Sequence, residues 1–162
     1  MECTLIAYYS WSGNTRQLAQ AVHRIVGGKL LEIKPVNPYP TSFNETLRRA
    51  REEIDAGYKP PLETKLDSIE PFKVIFIGSP NWCGTIAPPV ASFLSSYNFT
   101  GKIIAPFFTH GRGGLQNMLG AVKELCPNSI VLDPLALHRE KLSSAENSVT
   151  EWLEKIQIKR YL

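Results

Sequence analysis

YYSWSGNTRQLA, residues 8–19, sets three small hydroxyl side chains (Ser10, Ser12, Thr15), Gly13 and Asn14 between an apolar run and a segment of helical period. That is the join of a first strand to a first helix. A helix start presents backbone N–H groups without intrahelical partners and about half a positive charge. An ordinary capped turn needs one side-chain oxygen there. This loop offers far more: hydroxyl donors, a side-chain amide, and a glycine that lets backbone approach closely. It reads as a cradle for a phosphate monoester, built without Lys or Arg.

Outward from that loop, short apolar runs alternate with helical stretches, the pattern of an α/β domain with a parallel sheet. Strands are predicted at Thr4–Tyr9, Leu30–Lys34, Val74–Gly78, Ile103–Phe108 and Ser129–Leu135. Their near-continuous apolar character suits strands covered on both faces. Helical spacing links Leu18, Val22, Ile25 and Val26, then Phe43, Leu47, Ala50 and Ile54. It recurs over Ala87–Ser96, over Leu115–Leu125, and through Val149, Trp152, Leu153 and Ile156. With 162 residues, 43% of them hydrophobic, the chain is expected to form one domain over residues 1–162.

Composition narrows the function. No apolar run reaches the roughly 20 residues of a membrane span, and MECTLIAYYS lacks a signal-peptide pattern. A cytoplasmic protein, without membrane contact, is expected. The net charge of +3 is spread along helices, which argues against nucleic acid. Cys3, Cys83 and Cys126 form no C-x-x-C pair, so neither a disulfide framework nor zinc is indicated; Cys3 and Cys126 read as small core residues. The triphosphate signature G-x-x-x-x-G-K-[ST] and the dinucleotide signature G-x-G-x-x-G are both missing. Gly78-Ser79-Pro80 stands where a receiver domain needs an aspartate, and Cys83 has no correctly spaced arginine for a thiol phosphatase.

The loop Ser10-Trp11-Ser12-Gly13-Asn14-Thr15 resembles the phosphate loop of flavodoxins, in which an S/T-x-S/T-G-N-T pattern holds the FMN phosphate. The resemblance implies a flavodoxin-like, doubly wound, five-stranded parallel sheet of order 2-1-3-4-5 with helices on both faces, and FMN at its switch point. The third strand's exit, Pro80-Asn81-Trp82-Cys83-Gly84-Thr85, offers small residues and backbone amides beside a rigid indole. Trp82 is a candidate to stack on the flavin, with packing between loop and core as its other role. The resemblance implies that the Cys83-Gly84 peptide sits near the ring edge. The fourth strand exits into Thr109-His110-Gly111-Arg112-Gly113-Gly114, which resembles the family's second ring-binding segment; Thr109, His110, Gly111, Gly113 and Gly114 join the candidate site. Tyr39 and Tyr58 are candidates for the second flavin face or for turn packing.

Two functions compete: an electron carrier between a reductase and redox enzymes, and an NAD(P)H-dependent flavin or quinone reductase. A cofactor-free binding scaffold is a third reading. The absence of a nicotinamide-site insertion favours the carrier, acting with redox partner proteins as a monomer or weak dimer. Against the family habit of acidic carriers, this chain is net positive and its ring-binding loops hold no Asp or Glu.

Overall fold

The computed structural model describes residues 3–162. Five strand positions form the main sheet, flanked by two helical layers. In chain order the elements are β1 (Thr4–Tyr8), α1 (Asn14–Val26), β2 (Lys29–Glu32), α2 (Phe43–Ala56), β3 (Val74–Trp82), β4 (Thr85–Ile86) and α3 (Pro88–Ser96). There follow β5 (Ile103–His110), α4 (Met118–Leu125), β6 (Ile130–Val131), β7 (Leu135–His138) and α5 (Ala145–Lys155). The hydrogen-bonded order is β2-β1-β3-β5-β6, with β7 also on β5 and every pair parallel. β4 is a two-residue antiparallel return on the end of β3. With β6 and β7 sharing one edge position, this is the expected 2-1-3-4-5 arrangement.

Alternation of side chains across the pleat builds two cores. Ile6, Tyr8, Val74, Phe76, Ile103, Ala105 and Phe107 face α1 and α5 through Leu18, Val22, Val149 and Trp152. Leu5, Ala7, Ile75, Ile77, Ile104 and Phe108 face the other way, onto Ala50 of α2, Val90 and Phe93 of α3, and Met118 and Val122 of α4.

The expected fifth strand, Ser129–Leu135, is broken in two, and proline chemistry explains the break. Leu132 N–H donates to Ile104 C=O at 2.8 Å. In a parallel ladder the Leu132 carbonyl would then accept from the N–H of residue 106, which is proline and has none. Between Val131 opposite Ile104 and Leu135 opposite Phe107, three edge residues face two on β5, a bulge. Trp152 Nε1–H takes the Asp133 carbonyl at 2.9 Å.

Two further expectations are corrected. Of Phe43, Leu47, Ala50 and Ile54, α2 buries only Ala50; its other buried residues are Thr46 and Glu53, Leu47 and Ile54 are half-buried, and Phe43 is 61% exposed. Polar ties fix this rotation. Thr46 Oγ1 donates to Pro40 C=O at 2.7 Å, Tyr39 O–H donates to Glu53, and Arg49 reaches the Asn37 and Pro38 carbonyls, each at 2.9 Å. Cys3 is exposed, whereas Cys126 is buried and its thiol pKa is pushed up to about 11 by that burial.

Candidate functional site

All three loops singled out in the sequence leave the same end of the sheet, because β1, β3 and β5 are adjacent and parallel. α1 starts at Asn14 behind Gly13, whose φ of 98° lies in the left-handed region that glycine adopts without strain. A Cβ built on Gly13 meets nothing within 4 Å, so the space beside this glycine is open. Ser10 Oγ accepts from Gly13 N–H at 3.1 Å and keeps its own proton free to donate. Ser12 is exposed and Asn14 half-buried. Trp11 is pinned outward, its Nε1–H donating to Pro40 C=O at 2.9 Å and its ring tilted against Phe43 at 6.1 Å.

Thr15 lies deeper. Its hydroxyl is 2.8 Å from that of Thr109 at the end of β5, and both residues are buried. This pair ties the first exit to the third. One hydroxyl of such a pair donates to the other, which leaves one proton for another acceptor.

The second exit is a tight hairpin. Trp82 pairs with Thr85, and the central residues Cys83 and Gly84 have φ of 55° and 83°. Positive φ at both positions defines the turn that matches strand twist, at a conformational cost for the cysteine. Asn81 clasps this hairpin: its Oδ1 accepts from Gly84 N–H at 2.9 Å, and its Nδ2 donates to Gly114 C=O at 2.8 Å and to Gln116 Oε1 at 2.9 Å. Asn117 N–H also donates to Gly84 C=O at 2.9 Å. The second and third exits are therefore stitched together. Below them, Pro80 follows Ser79, a fully buried residue whose hydroxyl accepts from Ala87 N–H at 2.9 Å.

Trp82 is buried, with Tyr9 at 5.4 Å and Tyr39 at 4.9 Å, both edge-on. Of its two expected roles, packing between loop and core is the one this geometry displays. Tyr39 belongs to the same cluster, beneath the Arg49 guanidinium at 4.1 Å, while Tyr58 is 51% exposed and away from it. Burial raises the pKa of the Tyr9 and Tyr39 phenols, and the Glu53 carboxylate raises that of Tyr39 further, so both stay protonated.

In the third exit, Gly113 and Gly114 have φ of 79° and 64°, and Gly111 lies against the Arg139 guanidinium. His110 meets His138 of β7 edge-on at 5.4 Å. Its Nδ1 is buried without a hydrogen-bond partner in this structure, and desolvation, then the neighbouring His138, lowers its pKa.

Sequence reasoning missed Tyr9, Gln116, His138, and the Arg16–Glu32 pair beside the first exit. Arg16 Nε–H donates to Glu32 at 3.0 Å and Lys34 lies 3.5 Å from the same carboxylate. The position of Glu32 at the end of β2 was the one available signal, since strand ends at a switch point carry ligand chemistry. Together with Tyr9, Trp11 and Tyr39 this pair lines a cavity of about 550 Å³.

The sequence matches the family model described as flavodoxin over residues 3–156. Among solved structures it is similar to a Bacteroides eggerthii protein provisionally classed as a flavoprotein, at 26% identity and TM-score 0.84, covering 97% of this chain and 99% of that one. A Bacteroides uniformis protein classed the same way gives 26%, 0.82, 94% and 98%. A Lactobacillus acidophilus flavoprotein in complex with FMN gives 24%, 0.71, 91% and 99%, a likeness of fold. No curated protein matches the sequence. No helix among the described residues is long and apolar enough to cross a membrane. An open, donor-rich loop at the start of α1, beside two interlocked strand exits and within a 2-1-3-4-5 sheet, agrees with the match along nearly the whole sequence: the chain belongs to the flavodoxin family.

Proposed function

We propose that this protein binds FMN and carries electrons between a reductase and redox enzymes. The observation that supports this most is the first exit: an open space over Gly13, with Ser10, Ser12 and Asn14 as donors at a helix start, and no free carboxylate beside them because Glu32 is held by Arg16 and Lys34. A phosphate monoester fits that chemistry. In this reading Ser10, Trp11, Ser12, Gly13, Asn14 and Thr15 form the phosphate side. Pro80 to Thr85 and Thr109, His110, Gly111, Gly113 and Gly114 form the ring side, with Trp82 bracing the second exit from beneath. When bound, FMN supplies one- and two-electron redox chemistry, and the protein supplies position and polarity.

Titration of flavin-free protein with FMN and riboflavin tests the reading. FMN should bind about 100-fold more tightly, which is ~3 kcal/mol, the worth of one or two charge-assisted hydrogen bonds. Equal affinities would overturn it. Anaerobic mixing of the loaded protein with NADH or NADPH then separates carrier from reductase: slow bleaching of the flavin is expected, and rapid direct bleaching would favour the NAD(P)H-dependent reductase.

A further inference from the structure

Of the 18 lysines and arginines, a minority are paired among the described residues. Arg16, Arg24, Lys34, Arg48 and Arg49 are held in ion pairs. Many others make none among the described residues; of these, Arg112, Arg139 and Lys141 lie at the sheet's exit end, in the third exit and just after β7, and Lys155 lies at the far end of α5 along the same edge. Arg112 is exposed in the third exit. The Arg139 guanidinium packs over that exit, with Cζ and Nη1 each 3.5 Å from where a Cβ on Gly111 would stand. Lys141 and Lys155 line a surface cavity of about 520 Å³ together with His110, His138, Trp152 and the carboxylate of Glu151. The carboxylates of the same segments are Glu140 and Glu151, with Asp133 farther down the edge at the bulge, and none of the three exits contains an acid. His110 has a lowered pKa, which removes its own share of positive charge from this corner at neutral pH.

Free cations around a strand exit create a field that reaches about a Debye length into solution and steers encounter with molecules of opposite sign. We propose that this corner is the docking surface for an acidic electron-transfer protein. The inference rests on the carrier reading and adds the chemistry of the partner, which is the reverse of what an acidic carrier would need. A second copy of this chain is disfavoured as occupant, because a two-fold contact would set Arg112, Arg139 and Lys141 against their own counterparts.

An acidic plant-type [2Fe–2S] ferredoxin serves as the probe, and basic cytochrome c as its opposite. In stopped-flow mixing, each encounter with reduced ferredoxin passes one electron to the loaded protein. The second-order rate should fall about tenfold as ionic strength rises from about 20 to about 300 mM, while oxidation of the reduced protein by cytochrome c should not slow. Arg112→Glu with Arg139→Glu should lower the low-salt ferredoxin rate about tenfold, and Arg112→Gln with Arg139→Gln should lower it less; Arg24→Gln, in a surface pair with Glu146, should leave it unchanged. A ferredoxin rate that is flat or rises with salt, or that ignores the charge reversals, would overturn the proposal. Paramagnetic broadening of amide signals in flavin-free, ¹⁵N-labelled protein by oxidised ferredoxin reads docking without the cofactor. Residues 110–114 and 138–141 should broaden first; broadening elsewhere, or none, refutes the surface even if FMN fails to bind.

Discussion

Thr15→Val is the sharpest perturbation of the candidate site, because valine keeps the shape of threonine and removes only the hydroxyl. Thr15 is 1% exposed and Thr109 3%, and their oxygens are 2.8 Å apart. Neither group has solvent to fall back on. Taking away one partner leaves the other buried and unsatisfied, which costs about 1–3 kcal/mol, whereas replacing both by apolar groups of equal shape is nearly neutral. Each single variant, Thr15→Val or Thr109→Val, should therefore lose about 1–3 kcal/mol, or roughly 2–12 °C in Tm for a chain of this size. The double variant should return to within about 1 kcal/mol of wild type. Urea unfolding of the flavin-free proteins, followed by circular dichroism with unchanged slopes, measures the cycle. If the double variant instead shows the sum of the single losses, the two hydroxyls do not act as a pair and the reasoning fails. A ligand arm uses the same proteins: should the spare proton of the pair reach the phosphate, Thr15→Val weakens FMN more than riboflavin.

Two other outcomes follow from the geometry. A methyl at Gly78 would stand 2.2 Å from Phe107 Cε2, inside a fully buried ring, so Gly78→Ala should cost at least about 1–3 kcal/mol by overpacking, and Gly78→Ala with Phe107→Leu should recover part of it in the same unfolding assay. His110 has a folded-state pKa below its ordinary value, so the folded protein binds fewer protons than the unfolded chain; its contribution to stability is complete above about pH 6.5 and is lost as pH falls from there through the lowered value. Urea midpoints at pH 5.0 and 7.5 should accordingly drop more on acidification in wild type than in His110→Gln, and an equal drop would contradict the assignment.

The parts of this fold that sequence made legible are those set by local periodicity and by chemistry confined to one loop. Residues 4–19 carry strand, turn and helix start in a single run, and reading that loop as a phosphate cradle drew on no contact from elsewhere. What escaped depends on residues distant in sequence. The break in the edge strand follows from Pro106, on the neighbouring strand, which has no N–H for the Leu132 carbonyl. α2 has apolar residues at helical spacing, yet its rotation is set by Tyr39, Pro40 and Pro38, which offer a phenol and carbonyls to its polar side chains. The partners Thr15 and Thr109 are 94 residues apart, and His110 meets His138 only because β7 lies beside β5. Trp82 was read as a candidate flavin partner by its place, but whether an indole faces a ligand or the core depends on Tyr9 and Tyr39, and these were not visible as its neighbours.

Asn81 spends every polar atom of its side chain on holding two exits in one shape: an oxygen for Gly84, and a nitrogen shared between Gly114 and Gln116. The ordering of those glycine-rich turns is thereby charged to folding, since loops already fixed lose no further conformational freedom when a ligand arrives. The same clasp couples the shapes of the two exits. A molecule that binds at either exit therefore meets a surface whose shape is set by the other as well.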